Sequence, residues 1–319
     1  MAEFHFRAMG CRILAIVEAE SEAALATLRA LPDLFDAWEQ ALSRFRDDSE
    51  LTRLNRHPGQ PVPVSSVLWE VLRLSLAVAE RTDGLVTPTV LGALEAAGYD
   101  RSFDILERTA QDASPSLGDG PVPSLPVPDW RAIQLDAATR SVVVPVGTRL
   151  DLGGVAKGWA AEQAVALLAA HGPALVDAGG DIVVRGPRRD GTPWLIGVAD
   201  PFVEEHDLAL IALSSGAVAT SGRDYRRWQR YGRHFHHVID PRTGQPAETD
   251  VLTATAVAPT GWEAEMVAKV ALLLGSRAGI EWVERYPASA VLLVVEEPRP
   301  AVILSSRMVQ YLASEPRLA

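Results

Sequence analysis

The sequence predicts an α+β protein with a mainly antiparallel sheet. Three observations carry this. Helical periodicity is concentrated in the first third of the chain and returns near residue 265. Short β-branched runs fill the stretch from residue 175 to 257, most of them separated by hairpin-length turns. Hydrophobic residues make up 48% of the 319 residues and charged residues 22%, enough apolar side chain for a sizeable core.

Residues 4–18 alternate and become β-branched at Ile13, Ile16 and Val17, which predicts an opening strand. Ser21-Glu22 can cap a helix over about 22–42, with Leu25, Leu28, Leu31, Leu34, Phe35 and Trp38 at apolar positions and Pro32 as a kink. Residues 43–50 read as a polar turn and 51–55 as a short helical turn. Ser65-Ser66 starts a helix to about Arg81, with Leu68, Leu72, Leu76 and Ala79 on one face, and Thr82-Asp83-Gly84 ends it. Pro88-Thr89 opens a short helix to Ala97, stopped by Gly98. Residues 112–128 are rich in Ser, Pro, Gly and Asp without a period, the composition of a mobile or extended surface loop.

Strands near 133–135 and 142–146 follow, then a Gly-rich loop and a helix carrying Ala161, Ala164, Val165 and Leu168, closed by Gly172-Pro173. Strands are expected at 175–178, 182–185, 194–198, 208–213, 218–220, 236–239 and 252–257. Two helices over 261–274 and 277–285 precede strands at 290–295 and 301–304.

The formal net charge is −11 and no Lys/Arg run exceeds two residues, which argues against nucleic acid or an anionic membrane as the main partner. The single cysteine, Cys11, rules out an intramolecular disulfide and reads as a buried strand residue. No apolar run reaches the roughly 18 residues of a membrane span, and the first residues lack a basic, then apolar, export signal. A cytoplasmic location is the matching expectation.

Five clusters can carry chemistry. In Leu150-Asp151-Leu152-Gly153-Gly154-Val155-Ala156-Lys157-Gly158-Trp159, glycines precede a helix and a lysine adds charge, so the stretch can cradle a phosphate or pyrophosphate. The alternative is a tight loop entering a packed helix. Neither the Walker A nor the Rossmann glycine pattern is met. Asp177-Ala178-Gly179-Gly180-Asp181 allows a tight turn or close backbone approach to a ligand. Ala219-Thr220-Ser221-Gly222 ends a strand with two hydroxyls. In His237-Val238-Ile239-Asp240-Pro241-Arg242-Thr243-Gly244 a strand histidine precedes an Asp-Pro turn, and His236 and His237 are expected on opposite faces of that strand. Trp262 to Lys269 starts a helix on which Glu265 and Lys269 can pair at i, i+4.

The ordered set formed by residues 151–159, 177–181, 194–201, 219–222 and 237–244 resembles the signature series of the ApbE family, the FAD:protein FMN transferases. Met9-Gly10, residues 43–55 and Thr82-Asp83-Gly84 followed by Pro88-Thr89 are similar as well, so the resemblance runs from about residue 4 to 305.

The resemblance implies a single unit over 1–319: a helical lobe at about 18–110, the loop at about 112–128, and a sheet-rich lobe at about 130–305, with FAD bound between the lobes. It implies transfer of FMN from FAD to a Thr or Ser hydroxyl of an acceptor flavoprotein bearing a flavinylation motif, with release of AMP. It implies FAD contacts at Met9, Thr89, Asp151, Gly153, Gly154, Lys157, Gly179, Gly180, Asp181, Thr220, Ser221, Gly222, His237 and Asp240. His237 would be the base that activates the acceptor hydroxyl, a task its ordinary pKa of about 6.5 suits.

Mg²⁺ normally assists in the family, held by a backbone carbonyl at the position of Ala156 and by an Asp and a Thr on the late helix. Here those two positions are Glu265 and Lys269. Glu can bind a hard cation, whereas a protonated Lys has no acceptor. The expectation is that Lys269 sets its charge at the metal position, held by Glu265 and the Ala156 carbonyl, with Lys157 assisting. Thr87 departs from the family's more usual Asp. A second reading keeps the fold but loses transfer: a FAD-binding protein or FAD pyrophosphatase without a protein acceptor. A third, from another class, is a flavin carrier or redox-sensing module with no catalysis.

Overall fold

The computed structural model describes residues 1–103, 105–106, 125–230, 233–296 and 299–318. The irregular loop expected over 112–128 lies outside the described residues up to residue 124. By their contacts the residues group into two compact units, each assembled from separate stretches: Met1–Phe35, Lys157–Gly222 and Thr249–Ala319 in the first, Asp36–Ala156 and Arg223–Glu248 in the second.

The first unit is built on an eight-stranded sheet whose spatial order is its chain order. The strands are β1 Ala2–Ala8, β2 Cys11–Val17, β3 Ala174–Ala178, β4 Asp181–Arg185, β5 Gly216–Gly222, β6 Val251–Ala258, β7 Ala290–Val295 and β8 Ala301–Leu304. Every neighbouring pair is antiparallel. The opening strand expected over 4–18 is therefore corrected to a hairpin. Met9 and Gly10, at φ 51° and 68°, make a two-residue turn, a signal too short to interrupt the alternation around it.

Three helices lie wholly or mostly in this unit: α1 Glu22–Leu42, α2 Ala156–Ala169 and α3 Gly261–Glu284. Helix α3 packs across β4 to β7. On the apolar cluster that includes Val218, Val257 and Leu292 sits a second hairpin, Trp194–Ala199 with Asp207–Leu213, which contributes Trp194, Ile196 and Ile211. All residues of β6 and β7 are buried, as expected of strands covered on both faces. Thr260 caps α3, accepting from Glu263 N while its hydroxyl donates to the Glu263 carboxylate. The two late helices expected from the sequence run as one span broken at Gly275, where φ is 81°. Asp250 accepts from Ser276 N at 2.9 Å, just beyond the break.

In the second unit, Ser65 caps the helix Ser66–Arg81 by accepting from Leu68 N at 3.2 Å. Its buried stripe is Leu68, Val71, Leu72, Ser75, Val78 and Ala79, while Leu76 is only half-buried. Three short strands, Pro61–Pro63, Ser141–Val143 and Gln134–Asp136, form a small sheet in that order. A hairpin, Arg227–Arg230 with Arg233–His236, sets Trp228 and Phe235 into a cluster with Leu94, Ala97 and Tyr99. The strand expected over 236–239 is corrected. One strand ends at His236, a separate two-residue strand begins at Ile239, and His237 lies between them.

Candidate functional site

In the first unit four ionisable side chains meet where α2 begins. Lys157 Nζ donates to Asp181 Oδ2 and lies 3.9 Å from Glu265 Oε1. Lys269 Nζ donates to the same Glu265 oxygen at 2.8 Å. The other Glu265 oxygen accepts the Gly158 N–H at 3.2 Å, so this carboxylate caps the first turn of α2. The approach depends on two glycines. A Cβ on Gly158 would stand 2.6 Å from the carbonyl carbon of Gly261, so backbone packs on backbone there and brings Glu265 within reach.

Burial orders the charges. The Asp181 and Glu265 side chains are 2% and 1% exposed, those of Lys157 and Lys269 20% and 21%. Burial acts to raise Glu265, but Lys269, Lys157 and the Gly158 N–H outweigh it and hold the carboxyl below its usual range. For Asp181 burial dominates and Glu265 adds to it, so this carboxyl is pushed up to about 6 in spite of Lys157. Burial also opposes the charge on Lys157, yet Asp181 and Glu265 keep its ammonium well above the ordinary lysine range.

Asp181 is delivered by the Asp177–Asp181 turn. Gly179 and Gly180 have φ of 66° and 92°, and Asp177 accepts the Gly180 N–H at 2.7 Å. A Cβ on Gly179 would stand 2.6 Å from the Cβ of Cys11. Cys11, expected to be buried, is half-buried at the start of β2, because the hairpin turn places it at the strand end against this turn. Thr220 Oγ1 and Thr255 Oγ1 are hydrogen-bonded at 2.9 Å, Ser221 is buried, and Gly222 ends β5.

In the second unit the Gly-rich loop is held from three sides. Asn55 pairs with the backbone of Leu150 through both amide atoms, at 2.9 and 2.7 Å. The Asp151 N–H donates to Pro88 O at 2.8 Å, which ties the loop to the Pro88-Thr89 turn. The Asp151 carboxylate accepts the Gly153 N–H at 2.7 Å and lies 2.6 Å from Arg44 Nε. Gly154 follows in the same loop, half-buried. The Arg44 guanidinium carbon sits 4.0 Å from the Phe45 ring centre and 4.6 Å from that of Tyr99. Tyr99 stacks on Trp228 at 5.6 Å, and the His237 ring stands edge-on to Tyr99 at 6.5 Å.

His236 is a different case. It bonds to Ala247 O through Nε2 at 3.1 Å, and burial pushes its pKa down to about 4, so it is neutral. Thr89 is 1% exposed, and its hydroxyl donates to Pro128 O at 2.8 Å. Asp240 accepts from the backbone and side chain of Arg242, closing its Asp-Pro turn. Sequence reasoning placed residues 43–55 within the resemblance but did not single out Arg44, Asn55 or Tyr99 as parts of the site. Locally, Arg44 stood only in a polar turn and Asn55 at the end of a short helix. Their partners Asp151 and Leu150 are distant in sequence.

Among the described residues no group of three or more His, Cys, Asp and Glu is arranged to hold a metal ion. The two carboxylates at the start of α2 are each neutralised by an ammonium, and Lys269 brings no acceptor. This donor set does not fit a divalent cation.

The fold is thus that of an α+β protein with a charged cluster at the start of a Gly-preceded helix. The sequence model of the ApbE family matches residues 9–293, and the chain belongs to that family. It is 32% identical over 311 residues to a protein of Treponema pallidum (strain Nichols) named FAD:protein FMN transferase, with 91% of this chain and 82% of the relative covered. A protein of the same name from Klebsiella pneumoniae (strain 342) is 29% identical over 304 residues, covering 89% and 80%. The crystal structure of the ApbE protein of Thermotoga maritima superposes with a TM-score of 0.80 at 25% identity, covering 98% of this chain and 99% of that one. The flavin transferase ApbE of Vibrio cholerae shares the fold, with a TM-score of 0.79 at 23% identity, covering 98% and 99%.

Proposed function

We propose that this chain moves the FMN half of FAD onto the hydroxyl of a Thr or Ser in an acceptor flavoprotein and releases AMP. One observation carries the reading. The similarity to proteins named FAD:protein FMN transferase spans about nine-tenths of the chain, and the family match takes in every site residue discussed above.

The acceptor hydroxyl oxygen attacks the phosphorus on the FMN side of the pyrophosphate. A new P–O bond forms there, the bond to the bridging oxygen breaks, and AMP leaves with that oxygen. His237 takes the hydroxyl proton, and the neighbouring Tyr99 ring limits the positions its imidazole adopts. Negative charge on the pyrophosphate has to be met by fixed positive groups, for which Lys157 and Lys269 are suited.

Magnesium, the usual family assistant, does not fit the residues at the late helix, where Lys269 occupies Glu265 and brings no acceptor. The FAD contacts assigned by resemblance, the action of residues 1–319 as one transferase unit, a flavinylation motif on the acceptor and a cytoplasmic location are parts of the same proposal. No helix among the described residues is long and apolar enough to cross a membrane. Cell fractionation tests the compartment.

The reaction itself is tested by chromatography of AMP released from FAD, with and without an acceptor domain. Release that requires the acceptor hydroxyl supports transfer. Equal release without acceptor would make the chain a FAD pyrophosphatase instead. A His237→Ala variant with an undiminished transfer rate would remove the assigned base.

A further inference from the structure

We propose that the paired ammonium groups of Lys157 and Lys269 are the resident cation for a diphosphate in this chain, so that the site binds its anion without a divalent metal. The proposal rests on the transfer reading for the identity of the diphosphate, that of FAD.

Asp181 and Glu265 are sealed at 2% and 1% exposure, while both lysine side chains keep about a fifth of their surface. The two carboxylates are the most deeply buried side chains of the cluster, and the lysine side chains less so. A metal ion entering the cluster meets two like charges, an ammonium group on each carboxylate. To reach the carboxylate oxygens it must break the Lys157–Asp181 and Lys269–Glu265 bonds and force both ammonium groups aside.

An anion meets the opposite situation. The cluster holds two positive and two negative charges. Coulomb energy falls with distance, so a phosphate oxygen in contact with the ammonium groups feels them more strongly than the more distant carboxylates. Each ammonium has three N–H donors. Lys269 commits one to Glu265, and Lys157 one to Asp181, which leaves donors on both for phosphate oxygens.

The carboxylates also fix the geometry. Glu265 is anchored by the Gly158 N–H, and through its shared oxygen it sets Lys269 at 2.8 Å and Lys157 at 3.9 Å. Two long, flexible side chains are thus held ready, and less conformational entropy is lost when the anion binds. The packing of Gly158 on Gly261 positions that anchor. Nothing in this arrangement needs a metal to hold it together.

Three readouts test the proposal. Mn²⁺ binding to the protein alone, followed by electron paramagnetic resonance, should show no saturable site. FAD affinity, followed by flavin fluorescence, should be the same in EDTA and in Mg²⁺. A Glu265→Gln/Lys269→Met double variant, which leaves no buried carboxylate without its cation, should bind FAD at least about tenfold more weakly, as expected for loss of a charge-assisted contact. Lys269→Arg should retain most of the affinity.

Saturable Mn²⁺ binding that Glu265→Gln abolishes would overturn the proposal. So would FAD binding that collapses in EDTA and returns with Mg²⁺. Absence of AMP release under every condition would instead sink the transfer reading, while the Mn²⁺ measurement would still decide the cation assignment.

Discussion

Lys269 Nζ donates to Glu265 Oε1 across 2.8 Å, one turn apart on α3, and Lys157 Nζ stands 3.9 Å from the same oxygen. A single buried carboxylate oxygen thus registers two ammonium groups from two helices. The arrangement is structural and chemical at once, because the pairs that hold the lysines also keep Glu265 ionised.

Replacing Lys269 alone leaves Glu265 at 1% exposure with Lys157 as its more distant cation. Breaking a fully buried ion pair from one side costs about 3–5 kcal/mol. Lys269 is itself partly exposed and Lys157 remains, so Lys269→Met should cost roughly 2–3 kcal/mol, read from urea unfolding. Glu265 has its folded pKa lowered, so its contribution is present above the ordinary value of 4.5 and lost as pH falls through the folded pKa. The cost of Lys269→Met should therefore shrink in acid.

Gly158→Ala tests the backbone contact. The added carbon would stand 2.6 Å from Gly261 C and 2.7 Å from Gly261 O, neither of which can rotate away. Overpacking of this kind costs about 1–3 kcal/mol. The variant should melt several degrees lower and lose FAD affinity as well, since Glu265 is displaced from the start of α2.

Arg44 and Asp151 form a pair whose side chains are 6% and 14% exposed, with the guanidinium against both the Phe45 and Tyr99 rings. Arg44→Gln should cost about 3 kcal/mol, because it leaves the Asp151 charge nearly buried. A double-mutant cycle with Asp151→Asn should recover a coupling of at least about 1 kcal/mol. Additive losses would mean that the two residues act independently.

His236 carries a pH signature. Burial lowers its folded pKa to about 4 from an ordinary 6.5, so the unfolded chain takes up a proton first as pH falls. Stability should drop by roughly 2–3 kcal/mol between pH 6.5 and pH 4 through this residue alone. In His236→Gln, which retains a donor for Ala247 O, that part of the pH dependence should vanish.

Much of this was legible in the chain. Alternation and hairpin-length spacing located β3 to β8 within a residue or two, because a period of two is a local property. The Glu265–Lys269 pair was legible for the same reason, since helical spacing alone brings the two side chains together. The turn at Met9-Gly10 was not, since its only mark is two residues with left-handed backbone. Lys157–Asp181, Arg44–Asp151 and Asn55–Leu150 were also hidden. Each depends on which element packs on which, and no periodicity encodes that. Gly158 stood in a stretch read as a phosphate cradle, yet its N–H goes to the chain's own Glu265 carboxylate.

The most direct test of the central claim is covalent flavin on an acceptor domain, read as fluorescence that survives denaturing electrophoresis, with AMP measured in the same tube and EDTA present. The expected result is flavin on the acceptor and AMP in equal amounts, lost when the acceptor Thr or Ser is removed and undiminished by EDTA. AMP without protein-bound flavin, or transfer that appears only when Mg²⁺ is restored, would contradict it.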